Sequence, residues 1–481
     1  MKTFRYIASA TTLAMLLAGT GSAQRSLAPD PIIVPNDRAP VQAQPVSPSS
    51  PVARLSVVPS ALPKTQAVLD GYIRDNKMPG IVGAFSVGDR PTMFVSAGKI
   101  ADGAAAAKAG PDSLWRVYSM TKPITGMAAM ILIEEGRLKL DDPVSKYIPA
   151  FKTMKVLDGA TSLASHPAAR PVTIRMLLTH SAGLGYNIVT KGPLLSEYKR
   201  LGIDPAQVNN DLEAQSRKTR PTSLEEFANR VASLPLVYEP GTKWSYSIGL
   251  DVMGRVIEVA SGMSFDGFVQ QHIFDPLKMT SSFWTVPQRD VPRLSTNYIF
   301  TRAAMAQFNP ALDTSKIDAK ARIPLDAAAT SVWLKPPSFP YGGAGLVMSA
   351  RDYDRFLHML QNYGELDGVR IMKTETAKLA MSNLLPAGVI FSGTVASTGG
   401  TTAGPKMGFG AGGSVYLEDF PGGAGKGTYG WGGAAGTVAF VDAVHQARGN
   451  VMVNYFPGDT YPLRTEVLPA FLADAAHRPA K

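Results

Sequence analysis

The sequence predicts an α+β protein in which an antiparallel sheet is built from both ends of the chain and flanked by helices. Short runs rich in β-branched and aromatic residues lie near both ends, whereas residues 115–290 repeat apolar side chains at helical spacing. The predicted strands are Ile81–Val87, Thr92–Ala97, Gly413–Leu417, Thr437–Val441 and Val451–Tyr455. We therefore expect a mainly helical inserted region, roughly residues 115–340, between the two parts of the sheet.

The remaining elements follow from turn residues and periodicity. Ala61–Asn76 has the apolar spacing of an amphipathic helix, and the Pro79-Gly80 turn separates it from the first strand. Residues 290–340 are rich in Pro and Ala with weak periodicity, which predicts long loops, and Pro462–Ala475 is predicted as a closing helix. Together these elements predict one domain over residues 61–475.

Composition excludes several kinds of chemistry. The 481 residues contain no cysteine, which excludes disulfides, thiolate nucleophiles and iron–sulfur clusters. The six histidines form no HExxH motif and no pair at metal-ligand spacing, so we expect neither a metal site nor a cofactor. The formal charge of +10 comes from 48 Lys and Arg against 38 Asp and Glu. Because the basic residues are scattered rather than grouped, no nucleic-acid partner is predicted.

The first 23 residues have the pattern of a cleaved signal peptide. Lys2 and Arg5 precede an uncharged, mostly apolar run, and the small residues Gly21-Ser22-Ala23 provide a cleavage site. The run is shorter than the roughly 20 residues that a membrane-spanning helix needs, and no later stretch is long and apolar enough. Repeated prolines predict a linker over residues 24–60. We expect a periplasmic or secreted protein without a membrane span.

Two S-x-x-K matches place a serine near a lysine. Ser196 and Lys199 lie in a polar stretch, whereas Ser119 and Lys122 open a long apolar helical run that should be buried. Ser119 and Lys122 share one face of the helix N-terminus, where the dipole favours negative charge on an attacked carbonyl. Burial also favours a neutral Lys122 that could accept the serine proton. On its own, the pair is explained more simply by a capping serine and a surface lysine.

Two further segments extend this pattern. Tyr246-Ser247-Ile248 precedes an apolar helix, and Trp431-Gly432-Gly433 precedes a strand. The elements SMTK, YSI and WGG, in this order, resemble those of the serine β-lactamase and penicillin-binding-protein superfamily. Within it they are most similar to class C β-lactamase-like esterases, the family VIII carboxylesterases. The likeness covers roughly residues 61–475, and the absence of a GxSxG motif argues against the α/β-hydrolase nucleophile elbow.

The resemblance implies a role for each matching residue. Ser119 is the nucleophile that becomes acylated, while Lys122 and Tyr246 take its proton and return it to the leaving alcohol. Which of the two holds the proton stays open. The backbone N–H groups of Ser119 and Ala434 form the oxyanion hole. The residues implied to border the substrate are Trp431, Gly432, Gly433 and Ile248.

Two positions depart from the lactamase pattern. Trp431 replaces the lysine of the K-T-G element and Ile248 replaces the asparagine of Y-x-N, so an apolar pocket is expected instead of polar recognition. The predicted function is therefore that of an exported serine carboxylesterase acting on a small-molecule ester. A β-lactamase or D,D-peptidase of the same fold, or a non-catalytic cell-envelope binding protein, is the alternative.

Simpler structural roles stay open for several of these residues. Tyr246 could be an ordinary half-buried aromatic residue, and Trp431 a core residue. We interpret His180 as structural rather than catalytic, and Asp251 as an acid that stabilises a helix N-terminus.

Export is directly testable. Protein produced in a native-type host should begin at Gln24, because cleavage after Ala23 removes the signal peptide. Intact-mass measurement of the purified protein checks this expectation. Retention of residues 1–23 on protein recovered from a membrane fraction would contradict it.

Overall fold

The central sheet has seven strands and takes them from both ends of the chain, as predicted. The structure is a computed structural model that describes residues 62–88, 90–300, 304–305, 313–318, 321–391, 406–420 and 424–476. The strands are β1 Gly80–Val87, β2 Met93–Gly98, β3 Met407–Phe409, β4 Ser414–Tyr416, β5 Tyr429–Gly432, β6 Val438–Asp442 and β7 Ala447–Met452. Their order is β3-β4-β5-β6-β7-β1-β2, with every neighbouring pair antiparallel. The α+β fold class is confirmed, whereas the predicted signal peptide 1–23 and linker 24–60 lie outside the described residues.

Helices pack on both faces of this sheet. They are α1 Pro63–Arg74, α2 Thr121–Glu134, α3 Ile174–Leu178, α4 Gly192–Arg200, α5 Asn210–Ser216, α6 Leu224–Ala232, α7 Gly249–Ser261, α8 Phe265–Val269, α9 Ala350–Gln361, α10 Thr374–Ala380 and α11 Leu463–Ala476. The Asp474 carboxylate on α11 accepts the backbone N–H groups of Lys64 and Thr65, which satisfies free donors in the first turn of α1. Across the described ranges, every helix is too short or too polar to cross a bilayer.

Strand β1 shows how the sheet separates two cores. Val82 and Ala84 belong to the larger core with the inserted helices, while Ile81 and Phe85 belong to a second core with α1 and α11. Successive side chains of a strand point to opposite faces, so two apolar cores require apolar residues at both odd and even positions of β1. The strand is therefore covered on both sides.

Helix α2 lies in the middle of the larger core. Residues 121–132 of this helix are all buried, as its mostly apolar sequence predicted. It also approaches the chain between β3 and β4 very closely, since a Cβ on Gly126 would lie 2.1 Å from the Ala411 carbonyl oxygen. This approach fixes the start of α2 against the sheet.

Several predicted boundaries differ from the structure. The last predicted strand, Val451–Tyr455, is observed as β7 Ala447–Met452, after which Tyr455–Phe456 pairs with Asn297–Ile299 in another sheet. Residues 290–340, expected as loops, contain the strands Asn297–Ile299 and Ile323–Asp326. Residue patterning did not predict strand β5, because Gly430 and Gly432 alternate in it, although the resemblance implied a strand at Trp431–Gly433. Gly430 is required there, since a Cβ would lie 2.2 Å from the Ala439 carbonyl oxygen of β6.

Shorter strands complete the fold. They are Leu114–Arg116, Val347–Ser349 and Ser282–Phe283 in one sheet, Tyr455–Phe456, Asn297–Ile299 and Ile323–Asp326 in a second, and the hairpins Lys155–Leu157 with Ser165–Pro167 and Glu365–Leu366 with Val369–Arg370. The strand Leu114–Arg116 leads directly into the segment that carries Ser119. Its position therefore bears on the candidate site.

A buried ion pair connects this strand to the region 290–340. The Arg116 guanidinium has no exposed surface and donates through Nε to Asp326 Oδ2 at 2.8 Å and through Nη1 to the Ser295 carbonyl oxygen at 2.6 Å. Asp326 also accepts the Ser331 hydroxyl at 2.6 Å and the Val332 N–H at 3.0 Å. Each charge is thus paired and hydrogen-bonded, as burial requires.

Loss of this pair should destabilise the protein strongly. Asp326→Ala leaves the Arg116 guanidinium buried without a counter-charge, which should lower the free energy of unfolding by ~3–5 kcal/mol. Urea denaturation checks this value. The matched control is Glu197→Ala, which removes an acid from the exposed pair with Arg200 and should have a much smaller effect. Equal losses in the two variants would contradict the prediction.

Candidate active site

Ser119 lies in a tight turn immediately before α2. Residues Tyr118–Met120 form one turn of 3-10 helix, and Tyr118 has a φ of +42°, a conformation that costs a bulky residue about 1–3 kcal/mol. Edge-on ring contacts with Trp333 and Phe456, at centroid distances of 5.5 and 5.4 Å, hold Tyr118 there. The Ser119 side chain does not cap α2, so the capping interpretation is wrong.

Lys122 is a buried lysine. It has no exposed surface, and its Nζ donates to Ser119 Oγ at 3.2 Å and to the Gly343 carbonyl oxygen at 2.7 Å. The same Nζ lies 4.6 Å from the centre of the Tyr246 ring and 5.6 Å from that of Tyr186. The alternative of a surface ammonium is therefore wrong. An ammonium in this position is partly compensated by the carbonyl oxygen and the two ring faces.

Tyr246 is the second side chain that contacts the Ser119 hydroxyl. Its hydroxyl donates to Ser119 Oγ at 2.6 Å, so Ser119 Oγ contacts both Lys122 and Tyr246. Tyr246 comes from the irregular segment just before α7, 127 residues after the serine. A hydroxyl held between two groups that can exchange a proton has the geometry of an activated nucleophile.

His180 packs against Tyr246 but does not join this hydrogen-bond group. Its ring centre lies 4.8 Å from that of Tyr246, and its Nδ1 accepts the Ser247 N–H at 3.2 Å. Complete burial, together with the nearby Lys122 charge, holds the pKa of His180 well below its usual value, so the ring is neutral. This placement agrees with the structural interpretation of His180.

The strand β5 and the turn after it form another side of the site. A Cβ on Gly433 would lie 2.3 Å from the Val117 carbonyl oxygen, so glycine allows this turn to approach the Ser119 segment. The next residue, Ala434, is exposed, and within the described ranges its N–H makes no hydrogen bond. Arg464 of α11 donates to the carbonyl oxygens of Gly433 and Thr437 and holds the turn in place.

The residues expected to border the substrate differ in their exposure. Trp431 is 8% exposed and packs with Phe391, Met407 and Phe409, and its ring centre lies 5.8 Å from that of Tyr246. Gly432 is partly exposed. Ile248 has no exposed surface and belongs to the larger core, so its side chain does not border open space in this structure.

The second S-x-x-K match forms no comparable group of side chains. Ser196 and Lys199 are exposed on α4, and neither side chain has a hydrogen-bond partner among the described residues. Lys243, near Tyr246 in sequence, is also exposed. Within the described ranges, no three His, Asp or Glu side chains converge in a way that could hold a metal ion.

Two neighbours of Lys122 have surroundings that the sequence did not reveal. Asp251 lies in the first turn of α7, as expected, but it is fully buried, and burial raises its pKa to about 7 against the opposing effect of Lys122. Burial also raises the pKa of Tyr186 well above its usual value, so that hydroxyl stays protonated. The sequence pointed to Asp251 only as an acid five positions after Tyr246, and it gave no indication that Tyr186 lies near the site.

The chain is similar to proteins of known family. A family model described as Beta-lactamase matches residues 65–471. Protein Rv1367c of Mycobacterium tuberculosis is 31% identical over 276 residues, which cover 57% of this chain and 60% of that protein, less than two thirds of its length. Esterase EstB of Burkholderia gladioli is 31% identical over 391 residues, which cover 79% of this chain and 86% of that protein.

The fold of this chain is also similar to that of a solved structure. EstCE1, described as a hydrolase with promiscuous acyltransferase activity, is 25% identical and superposes with a TM-score of 0.65 over 86% of this chain and 98% of that chain. The fold, the family model and the order of the SMTK, YSI and WGG elements therefore agree. On these grounds the chain belongs to the beta-lactamase family.

Proposed function

We propose that the protein is a serine hydrolase that cleaves carboxylic esters through an acyl-enzyme on Ser119. The observation that carries this proposal is the contact of Ser119 Oγ with both Tyr246 Oη at 2.6 Å and Lys122 Nζ at 3.2 Å. The two partners come from different parts of the chain and meet on one buried hydroxyl. The proposal includes export, which the N-terminal sequence supports.

The first half-reaction transfers the acyl group to the protein. Ser119 Oγ attacks the ester carbonyl carbon while its proton passes to the Tyr246/Lys122 pair. The backbone N–H groups of Ser119 and Ala434 stabilise the negative oxygen of the tetrahedral intermediate. The bond to the alcohol oxygen then breaks, and the pair returns the proton to the leaving alcohol.

The second half-reaction frees the acid. Water attacks the acyl-Ser119 ester as the same pair takes its proton, and collapse of the second tetrahedral intermediate releases the carboxylic acid and restores the Ser119 hydroxyl. An alcohol that replaces this water would yield a new ester. EstCE1 is described as having promiscuous acyltransferase activity. The aromatic rings around Tyr246 would favour an apolar acceptor alcohol, so acyl transfer is the second candidate activity.

Ester substrates fit these surroundings better than β-lactams. Tyr246 is flanked by the rings of Tyr186 and Trp431 at 5.3 and 5.8 Å, and Trp431 stands where the lactamase pattern has a lysine. Apolar rings favour uncharged acyl groups over a substrate carboxylate. Parallel assays with a short-chain p-nitrophenyl ester and a chromogenic cephalosporin separate an esterase from a β-lactamase, and inactivity toward both favours a binding protein.

The nucleophile can be tested against the other S-x-x-K serine. Ser119→Ala should abolish ester hydrolysis, whereas Ser196→Ala, on the exposed face of α4, should leave kcat/KM nearly unchanged. Lys122→Ala and Tyr246→Phe should each raise the barrier by ~3–5 kcal/mol, since proton transfer and charge placement are both lost. Because these residues act as a unit, the double variant should be little worse than either single one. An inactive Ser196 variant would overturn the assignment.

Specificity can be tested at Trp431. Trp431→Lys adds a cation that can face a substrate carboxylate, worth ~1–2 kcal/mol when partly desolvated, and removes ring contacts. The ratio of kcat/KM for the cephalosporin to that for the ester should therefore rise. Trp431→Leu is the control, because it removes the ring without adding charge and should leave this ratio low. An unchanged ratio in a Lys variant shown to be folded would exclude Trp431 from the substrate site.

A further inference from the structure

Asp251 is a buried acid directly behind the candidate site. Its side chain has no exposed surface, and its Oδ1 accepts the Gly343 N–H at 2.8 Å. Among the described residues, its other oxygen, Oδ2, has no hydrogen-bond partner. An unpartnered buried carboxylate oxygen is costly unless a nearby positive charge compensates it.

Gly343 connects Asp251 to Lys122. Its N–H is donated to Asp251 and its carbonyl oxygen accepts Lys122 Nζ at 2.7 Å, so a single residue separates the acid from the ammonium. A Cβ on Gly343 would lie 2.6 Å from Asp251 Oδ2, so a larger residue there would displace the carboxylate. The preceding residue is fixed as well, since Thr125 Oγ1 of α2 donates to the Gly342 carbonyl oxygen at 2.7 Å. The arrangement joins α2 and α7 through two glycines.

Lys122 is the cation that faces Asp251. It acts electrostatically on the carboxylate, and Tyr186, from the chain after α3, is a second titratable neighbour among the described residues. On the outer side of α7, Arg255 pairs with Glu225 of α6 and with Glu258 of its own helix. Arg175 of α3 pairs with Asp141. Both arginines already have acidic partners, so among the described residues Lys122 is the cation that acts on Asp251.

We propose that Asp251 is a positioning residue that balances the charge of Lys122 and thereby sets the pH at which the Lys122/Tyr246 pair can take the Ser119 proton. This inference rests on the proposed function. A negative charge close to the pair makes the pair hold its proton to higher pH, because it stabilises the ammonium form. Since burial raises the pKa of Asp251 to about 7, its own charge changes in the range where ester hydrolysis is assayed.

A purely structural role for Asp251 makes a different prediction. If the carboxylate only holds Gly343, any side chain that accepts the Gly343 N–H should serve equally well at every pH. Asp251→Asn keeps such an acceptor and nearly the same volume but removes the charge. Asp251→Glu keeps the charge but lengthens the side chain against the Gly342-Gly343 segment. The two variants therefore separate charge from geometry.

The experiment measures how fast a fluorophosphonate probe labels the folded protein as a function of pH, with the labelled serine identified by peptide mapping. For Asp251→Asn, the acid limb of the rate profile should move to lower pH by about one unit. For Asp251→Glu the limb should stay near its wild-type position while the plateau rate falls several-fold. Asp474→Asn is the matched control: it alters a buried acid that holds α1, and it should leave the profile unchanged.

The outcomes are distinguishable. Identical acid limbs in wild type and Asp251→Asn, with Ser119 labelled in both, would overturn the inference and leave the proposed function intact. Labelling of a residue other than Ser119 in wild type would overturn the proposed function itself. Where the Asn variant does not fold, Asp251→Ser, which also provides an uncharged acceptor, replaces it and should show the same shift.

Discussion

The burial of one lysine is the constraint on which the rest of the site depends. Lys122 lies in a helix that is enclosed on all sides, so its ammonium must find every compensating contact inside the protein. The nearest of those contacts are Ser119 Oγ, the Gly343 carbonyl oxygen and the face of Tyr246. Each comes from a different segment of the chain. The contacts of the Lys122 ammonium therefore join three segments: the Ser119 turn, the loop that contains Gly343 and the segment before α7.

Close backbone approach makes this convergence possible. At three positions around the site, glycine stands where a Cβ would lie within about 2–3 Å of a carbonyl or carboxylate oxygen: Gly126 against Ala411, Gly343 against Asp251, and Gly433 against Val117. These three contacts set α2 against the sheet, the loop against α7, and the end of β5 against the Ser119 turn. The strain at Tyr118, held by Trp333 and Phe456, belongs to the same arrangement.

The surroundings of Ser119 combine aromatic rings with a buried arginine, Arg464, which comes from α11. Trp431 and Tyr186 flank Tyr246, and Trp431 stands at the position of the lysine in the lactamase K-T-G element. Arg464 of α11 lies behind the turn that follows β5, where it donates to the Gly433 and Thr437 carbonyl oxygens. Burial lowers the pKa of Arg464. Its contacts are to backbone, so it stabilises the turn that carries Ala434.

The sequence by itself determined the sheet from both chain ends, the buried helix α2 and the grouping of Ser119 with Lys122, because apolar periodicity and a three-residue spacing are local properties. The order of three motifs added Tyr246 and the Gly433–Ala434 turn. Only the tertiary structure decided that Ile248 is enclosed and that Gly343 connects Asp251 to Lys122. Asp251 and Gly343 are 92 positions apart in the chain, and Lys122 and Gly343 are 221 positions apart. A single sequence carries no local signal for such contacts.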